Sequence, residues 1–127
     1  MARSEHLPIY KAAYDLCLYL EQVVRNFSRY HKYSLGAQLR GGALNVLRLV
    51  VRANARDDKV SALLDVREEL EDLKVLLRLC HDGQAFPKFN SFEHAIGRVT
   101  EIAKQNEGWL KSQRTGRGQN RPVMLLS

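Results

Sequence analysis

Leu-Gly-Ala-Gln-Leu-Arg-Gly-Gly-Ala-Leu-Asn-Val-Leu-Arg-Leu-Val-Val-Arg-Ala-Asn-Ala, residues 35 to 55, is too apolar for the outward-facing helix of an ordinary small bundle. Helical spacing puts Leu39, Ala43, Val46, Val50 and Ala53 on one face, Leu44, Leu47 and Val51 on another, and Leu49 on a third side. One stripe is enough to join a bundle. The second asks for another covering surface, either further neighbours within the chain or a second chain or subunit. Few neighbours are available in 127 residues. Gly41-Gly42 would cost about 1 kcal/mol per glycine against alanine, and close helix approach, or else a kink, would account for them.

Working outward, the pattern predicts three more helices. Before the central stretch, Pro8 suits a first helical turn, and Tyr10, Ala13, Tyr14, Cys17, Leu20, Val24 and Phe27 recur at three- and four-residue steps to about Tyr30. Residues 29–34 then gather basic and aromatic side chains in a connection whose Ser34 is placed to cap the next helix. After the stretch, Asp57 or Asp58 can cap a third helix with Leu63, Val66, Leu70, Leu73, Leu77 and Cys80 in its stripe, widened by Val75, Leu76 and Leu79. Asp82-Gly83 ends it, and Phe86 and Phe89 should anchor the longest loop. Asn90 and Glu93 have capping-box spacing before a fourth stripe of Phe92, Ala95, Ile96, Val99, Ile102, Ala103, Trp109 and Leu110. Glu107 and Lys111 are spaced as a surface pair. The expectation is an all-α, up-down-up-down antiparallel four-helix bundle over residues 1–112, with helices at about 8–30, 35–55, 58–82 and 91–112, and a basic, flexible tail over 113–127.

Charge is segregated along the chain, whose net charge is +6. From Gln22 to Arg56 there is no acid, but there are Arg25, Arg29, Lys32, Arg40, Arg48, Arg52 and Arg56; Asp57 to Asp72 is mainly acidic. Lys111, Arg114, Arg117 and Arg121 follow Leu110 without an acid. Such segregation either makes a basic surface for phosphates or lets oppositely charged helices pair. Arg48, Arg52 and Arg56, four residues apart, lie on nearby sides of their helix and could touch successive phosphates or line a subunit joint.

Nothing in the pattern points to an enzyme, a metal or a cofactor. His6, His31, His81 and His94 do not form a Glu-x-x-His pair, and Gly41-Gly42 lacks the lysine and hydroxyl of a phosphate loop. Glu68, Glu69, Glu71 and Asp72 point to different helix sides. Cys17 and Cys80 read as buried thiols in a reducing cytoplasm. Arg48 and Arg52 break the longest apolar run, and residues 1–6 carry no apolar signal region, so the expected setting is cytoplasmic, without a membrane.

Tyr33-Ser-Leu-Gly-Ala-Gln-Leu-Arg40, then Ala43-Leu44 and Ala53-Asn54, resembles the bacterial four-helix-bundle proteins related to the 23S ribosomal RNA intervening-sequence product. Glu69-Leu-Glu-Asp-Leu-Lys-Val-Leu-Leu-Arg-Leu79 and Gly108-Trp-Leu-Lys111 resemble its Avd branch, the accessory variability determinants of diversity-generating retroelements. The resemblance spans about residues 7 to 111. The broader family commonly ends its second helix in an Asn-Ile-x-Glu-Gly-like segment, whereas Val50-Val-Arg-Ala-Asn54 lacks that acid.

This resemblance implies a non-catalytic partner of a reverse transcriptase, assembled as a homopentameric barrel whose basic surface engages template RNA or RNA–cDNA during mutagenic copying and retrohoming. Lys74 and Arg78 match the basic pair that contacts the polymerase in the family, although Glu71 is also placed to pair with Lys74. The residues expected at nucleic acid are Arg25, Arg29, Lys32, Arg40, Arg48, Arg52, Arg56, Lys111, Arg114 and Arg117. The other reading is an oligomeric scaffold of the intervening-sequence type, whose cations serve solubility and subunit pairing.

Overall fold

A computed structural model describes the backbone of residues 4–120 and the side chains of residues 5–115. A 3-10 turn, Ser4–His6, leads into α1 (Pro8–Arg25), the one-turn α2 (Arg29–Lys32), α3 (Leu35–Ala55), α4 (Lys59–Asp82) and α5 (Phe89–Asn120). The four long helices form a bundle in which α1 packs on α3, α3 on α4, α4 on α5 and α5 back on α1. Neighbours run antiparallel: Arg40 of α3 reaches Glu21 of α1, Arg67 of α4 reaches Glu107 of α5, and the Tyr19 hydroxyl of α1 donates to the Ser91 carbonyl of α5. One end of the bundle therefore holds α2 and the α4–α5 loop, and the other holds the α3–α4 turn.

The core keeps the expected stripes of α3 and α4, but α1 buries Ile9 and Leu16, which its expected stripe did not contain, and leaves Tyr14 exposed. Leu16, Leu20 and Val24 of α1 meet Leu39, Ala43, Val46 and Val50 of α3, Val66, Leu70, Leu73 and Leu77 of α4, and Val99 and Ile102 of α5. Each fully buried leucine contributes about 1.5–3 kcal/mol relative to an exposed one. A smaller cluster of Ala53, Leu63 and Leu110, with Trp109 against it, closes the α3–α4 end. At the other end, the Phe27 ring meets Phe86 edge-on with centroids 5.3 Å apart.

Several local features depart from the sequence expectations. The first helix stops at Arg25 rather than Tyr30, because the Asn26 and Phe27 amides turn back to Val23 and Val24 and α2 starts afresh. Ser34 does not cap α3: its hydroxyl donates to the Tyr30 and His31 carbonyls instead. Asp58 does cap α4, accepting from the Ser61 amide. Phe86 is buried as an anchor, but Phe89 stays exposed, and α5 begins at Phe89, so Asn90 lies inside it and forms no capping box. The last helix continues to Asn120, eight residues past its expected end at 112 and into the segment expected to be flexible; residues 121–127 lie outside the described residues. Val75 and Leu79 do not widen the core stripe of α4, since both point to solvent.

The glycines separate by role. A methyl at Gly42 would sit 3.1 Å from Leu73 of α4, so close helix approach accounts for this residue, whereas Gly41 faces open space. Gly36 is the tightest point in α3: a Cβ there would stand 2.6 Å from Val24 Cγ1 and 3.1 Å from the His31 carbonyl oxygen. After α4, the left-handed residue is Gln84 (φ 63°) rather than Gly83.

Two substitutions test this packing by chemical denaturation. Gly36→Ala should destabilise by about 1–3 kcal/mol, because Val24 and the His31 carbonyl cannot both retreat. Gln84→Gly should instead stabilise by up to about 1 kcal/mol, by relieving a left-handed conformation that costs a side-chain-bearing residue roughly that much.

Candidate nucleic-acid interface

The helices sort the basic residues by what they already hold. Lys59 is committed to the fold: its ammonium donates to the carbonyls of Ala53 (3.1 Å), Asn54 (2.9 Å) and Arg56 (2.7 Å), closing the C-terminus of α3 where the helix dipole favours a cation. Arg67 makes a two-pronged contact with Glu107, Nε to Oε2 at 2.9 Å and Nη2 to Oε1 at 2.7 Å, tying α4 to α5. The Glu107 carboxyl is held below its usual range, chiefly by the hydrogen bonds from Arg67. Glu107 thus meets Arg67, not the expected Lys111. Both partners are about half exposed, so solvent screens the pair and its part is to tie two helices rather than to stabilise strongly.

Arg40 lies 3.3 Å from Glu21 across α1 and α3 and is partly occupied. Lys74 lies 3.4 Å from Glu71, the local pairing that its spacing allowed, while Arg78 is exposed and makes no ion pair among the described residues. Arg98 was not anticipated. Its guanidinium lies 5.2 Å from the centre of the Tyr19 ring, and its Nε donates to His94 Nε2 at 2.9 Å, a contact legible only as the four-residue spacing of His94 and Arg98.

The remaining cations fall at two ends. Arg48, Arg52 and Arg56 are exposed along the outer side of α3 toward its C-terminus, and Lys111 and Arg114 are exposed on α5 at the same end of the bundle. Arg25, Arg29 and Lys32 cluster around α2 at the opposite end, a helix length of about 30 Å away. The structure does not unite the expected residues in one patch. Arg117 lies on the helical backbone of α5, but its side chain is outside the described residues.

Beside these cations the surface is apolar in two places. Arg40, Leu44, Leu47 and Val51 form one stripe of α3 next to the Glu21, Leu18 and Tyr14 stripe of α1; of these, Tyr14, Leu18, Leu44 and Val51 are exposed. Val75 (68% exposed) and Leu79 (53%) rim a groove between α3 and α4 floored by Gly41, Gly42 and Leu76. Of the second stripe inferred for residues 35–55, Leu44 and Val51 are exposed while Leu47 is partly buried against the core, and α4 carries a further exposed pair.

Among the described residues no group of three or more His, Cys, Asp or Glu side chains could hold a metal ion, and no helix is long and apolar enough to cross a membrane. Cys80 is buried and its thiol is pushed up to about 11, while Cys17, half-buried, is raised by burial and then by Glu21. Asn106 is a buried polar side chain that the stripe concealed; its Nδ2 donates to the Leu63 carbonyl at 3.0 Å and sets the level of α5 against α4.

Compared with known protein families, residues 7–113 match the bAvd-like family model. The chain belongs to the bAvd-like family. Membership makes it an Avd-type accessory protein in the broad sense, and the match covers all four long helices as far as residue 113. No curated protein sequence matches the chain.

The thiol chemistry is directly testable. At pH 8 the folded Avd-type chain should alkylate at Cys80 at least about a hundredfold more slowly than the denatured chain, because the side chain is fully buried and a thiol near 11 is scarcely ionised there. Mass spectrometry of iodoacetamide-treated protein, folded and in denaturant, reads this out.

Proposed function

We propose that this chain is a non-catalytic accessory protein of a diversity-generating retroelement, holding template RNA and RNA–cDNA beside the reverse transcriptase during mutagenic reverse transcription and retrohoming. Family membership supports the setting. The observation that carries the nucleic-acid part is the run of Arg48, Arg52 and Arg56 on the outer side of α3, exposed and without ion pairs among the described residues. Cations left unpaired by their own fold are available to phosphates, and phosphate contacts position a nucleic acid while reading little of its sequence.

Assembly as a homopentameric barrel is part of the proposal. Its support is the pair of uncovered apolar strips, Leu18, Leu44 and Val51 on one face and Val75 and Leu79 on the next, which a neighbouring copy can cover. The polymerase contact is assigned to Arg78 with Lys74. Because Lys74 is shared with Glu71, Arg78 is the stronger of the two anchors.

Light scattering of the purified protein should give a mass near five chains. Replacing Arg48, Arg52 and Arg56 together by Gln should weaken RNA binding at least tenfold and flatten the slope of log affinity against log salt by about two units for a single strand, with helicity unchanged. An unchanged slope rejects this surface. A pentamer-sized particle indifferent to RNA at low salt would instead favour the scaffold of the intervening-sequence type.

A further inference from the structure

The end of the bundle around α2 differs in kind from the α3 surface, because its cations are interleaved with bare aromatic rings. Tyr30 is 84% exposed and Tyr33 70%, and neither hydroxyl has a hydrogen-bond partner among the described residues. The Tyr30 ring meets the His31 ring edge-on, with centroids 4.9 Å apart. Two large rings held in water contribute little to folding, so their placement calls for another account.

The backbone beneath them is fixed. The His31 and Lys32 amides both donate to the Ser28 carbonyl, the Ser34 amide returns to His31, and the Ser34 hydroxyl donates to the Tyr30 carbonyl at 2.9 Å. Gly36 presses this turn against Val24 and Phe27 so closely that a methyl group would not fit. Tyr30 and Tyr33, three residues apart across one turn, are therefore presented on a rigid mount with little ordering left to do on binding.

Arg25 at the end of α1 and Arg29 in α2 are exposed and Lys32 is partly buried, with no acid in the chain from Gln22 to Arg56. Aromatic rings among cations are the recurring arrangement for single-stranded nucleic acid, in which bases stack on the rings while the backbone follows the positive charge. A protein-docking patch would set its tyrosines among apolar residues and be poor in lysine, whereas the neighbours here are Asn26, Ser28, Arg29 and Lys32. At the opposite end the exposed neighbours of Arg48 are the aliphatic Leu44 and Val51, which offer no comparable stack.

We infer that the α2 end of the bundle is a stacking platform for unpaired bases of single-stranded RNA, with Tyr30 and Tyr33 against the bases and Arg25, Arg29 and Lys32 on the phosphates. This rests on the nucleic-acid reading above and adds the form of nucleic acid that this end takes. The α3 arginines hold backbone of any form; the tyrosines demand bases free of pairing.

The test uses the full chain and three labelled probes longer than one ~16-nucleotide site: oligouridine, an RNA duplex of equal length, and an abasic strand carrying the same phosphates. Tyr30→Ala combined with Tyr33→Ala should weaken oligouridine binding about tenfold or more, leave duplex and abasic-strand affinity within about twofold, and leave the salt slope unchanged. Tyr30→Phe with Tyr33→Phe should bind as the parent does. Circular dichroism and light scattering of each variant monitor the fold and the assembly. Parental affinity for oligouridine in the double alanine variant overturns the platform while leaving the arginine surface standing. Equal affinity of the parent for abasic strand and oligouridine does the same. A fall in particle mass with RNA affinity intact overturns it in favour of a contact between protein copies. A parent that binds none of the probes at low salt overturns both this inference and the proposed function.

Discussion

The structure turns on how much of α3 two antiparallel neighbours can cover. Packed between α1 and α4, the helix buries Gly36, Leu39, Ala43, Val46, Val50 and Ala53 and approaches so closely at Gly36 and Gly42 that the partners nearly touch its backbone. That contact sets the bundle's spacing, and α5 then fits the remaining gap with Ala95, Val99, Ile102 and Leu110. It also fixes what is left out. Leu44 and Val51 lie on the side turned away from the core, and no rotation of α3 could bury them without exposing the first stripe.

The same geometry decides which charges are free. Two cations are drawn into the fold, Lys59 at the C-terminus of α3 and Arg67 between α4 and α5. The outward arc of α3 toward its C-terminus offers no such partner among the described residues. Arg48, Arg52 and Arg56 occupy that arc on α3, while the acids Asp65, Glu68 and Asp72 occupy the exposed side of α4. Strips of opposite charge, each beside exposed apolar residues, therefore lie on α3 and α4.

The family places the chain among Avd-type proteins, and the physical reading gives two kinds of positive surface instead of one. The α3 arginines sit beside aliphatic side chains, and the α2 cations sit beside tyrosines. Charge alone, counted along the chain, treats these as a single basic segment. Their separation follows from the rise of α3 itself, since α2 precedes its N-terminus and Arg48, Arg52 and Arg56 lie toward its C-terminus.

By itself the sequence determined the four long helices and most of their buried faces, though not that of α1, where Leu16 is buried and Tyr14 exposed, because three- and four-residue periodicity is imposed by the helix whatever its neighbours do. Leu39, Val46, Val50, Leu63, Leu70 and Leu77 could be named as buried from spacing alone. It also foretold that residues 35–55 carry one stripe too many, and its ordered segments pointed to the family. Tertiary structure alone decided the contacts that join distant residues: Glu107 to Arg67 rather than Lys111, Asn106 to the Leu63 carbonyl, Lys59 across three carbonyls. Exposure at a helix end was likewise hidden, since Val75 and Leu79 fit a widened stripe and prove to face solvent, and Phe86 and Phe89 look alike in sequence yet only Phe86 is buried. Periodicity reports which side of a helix a residue occupies, but whether that side is covered depends on where the neighbouring helices stand.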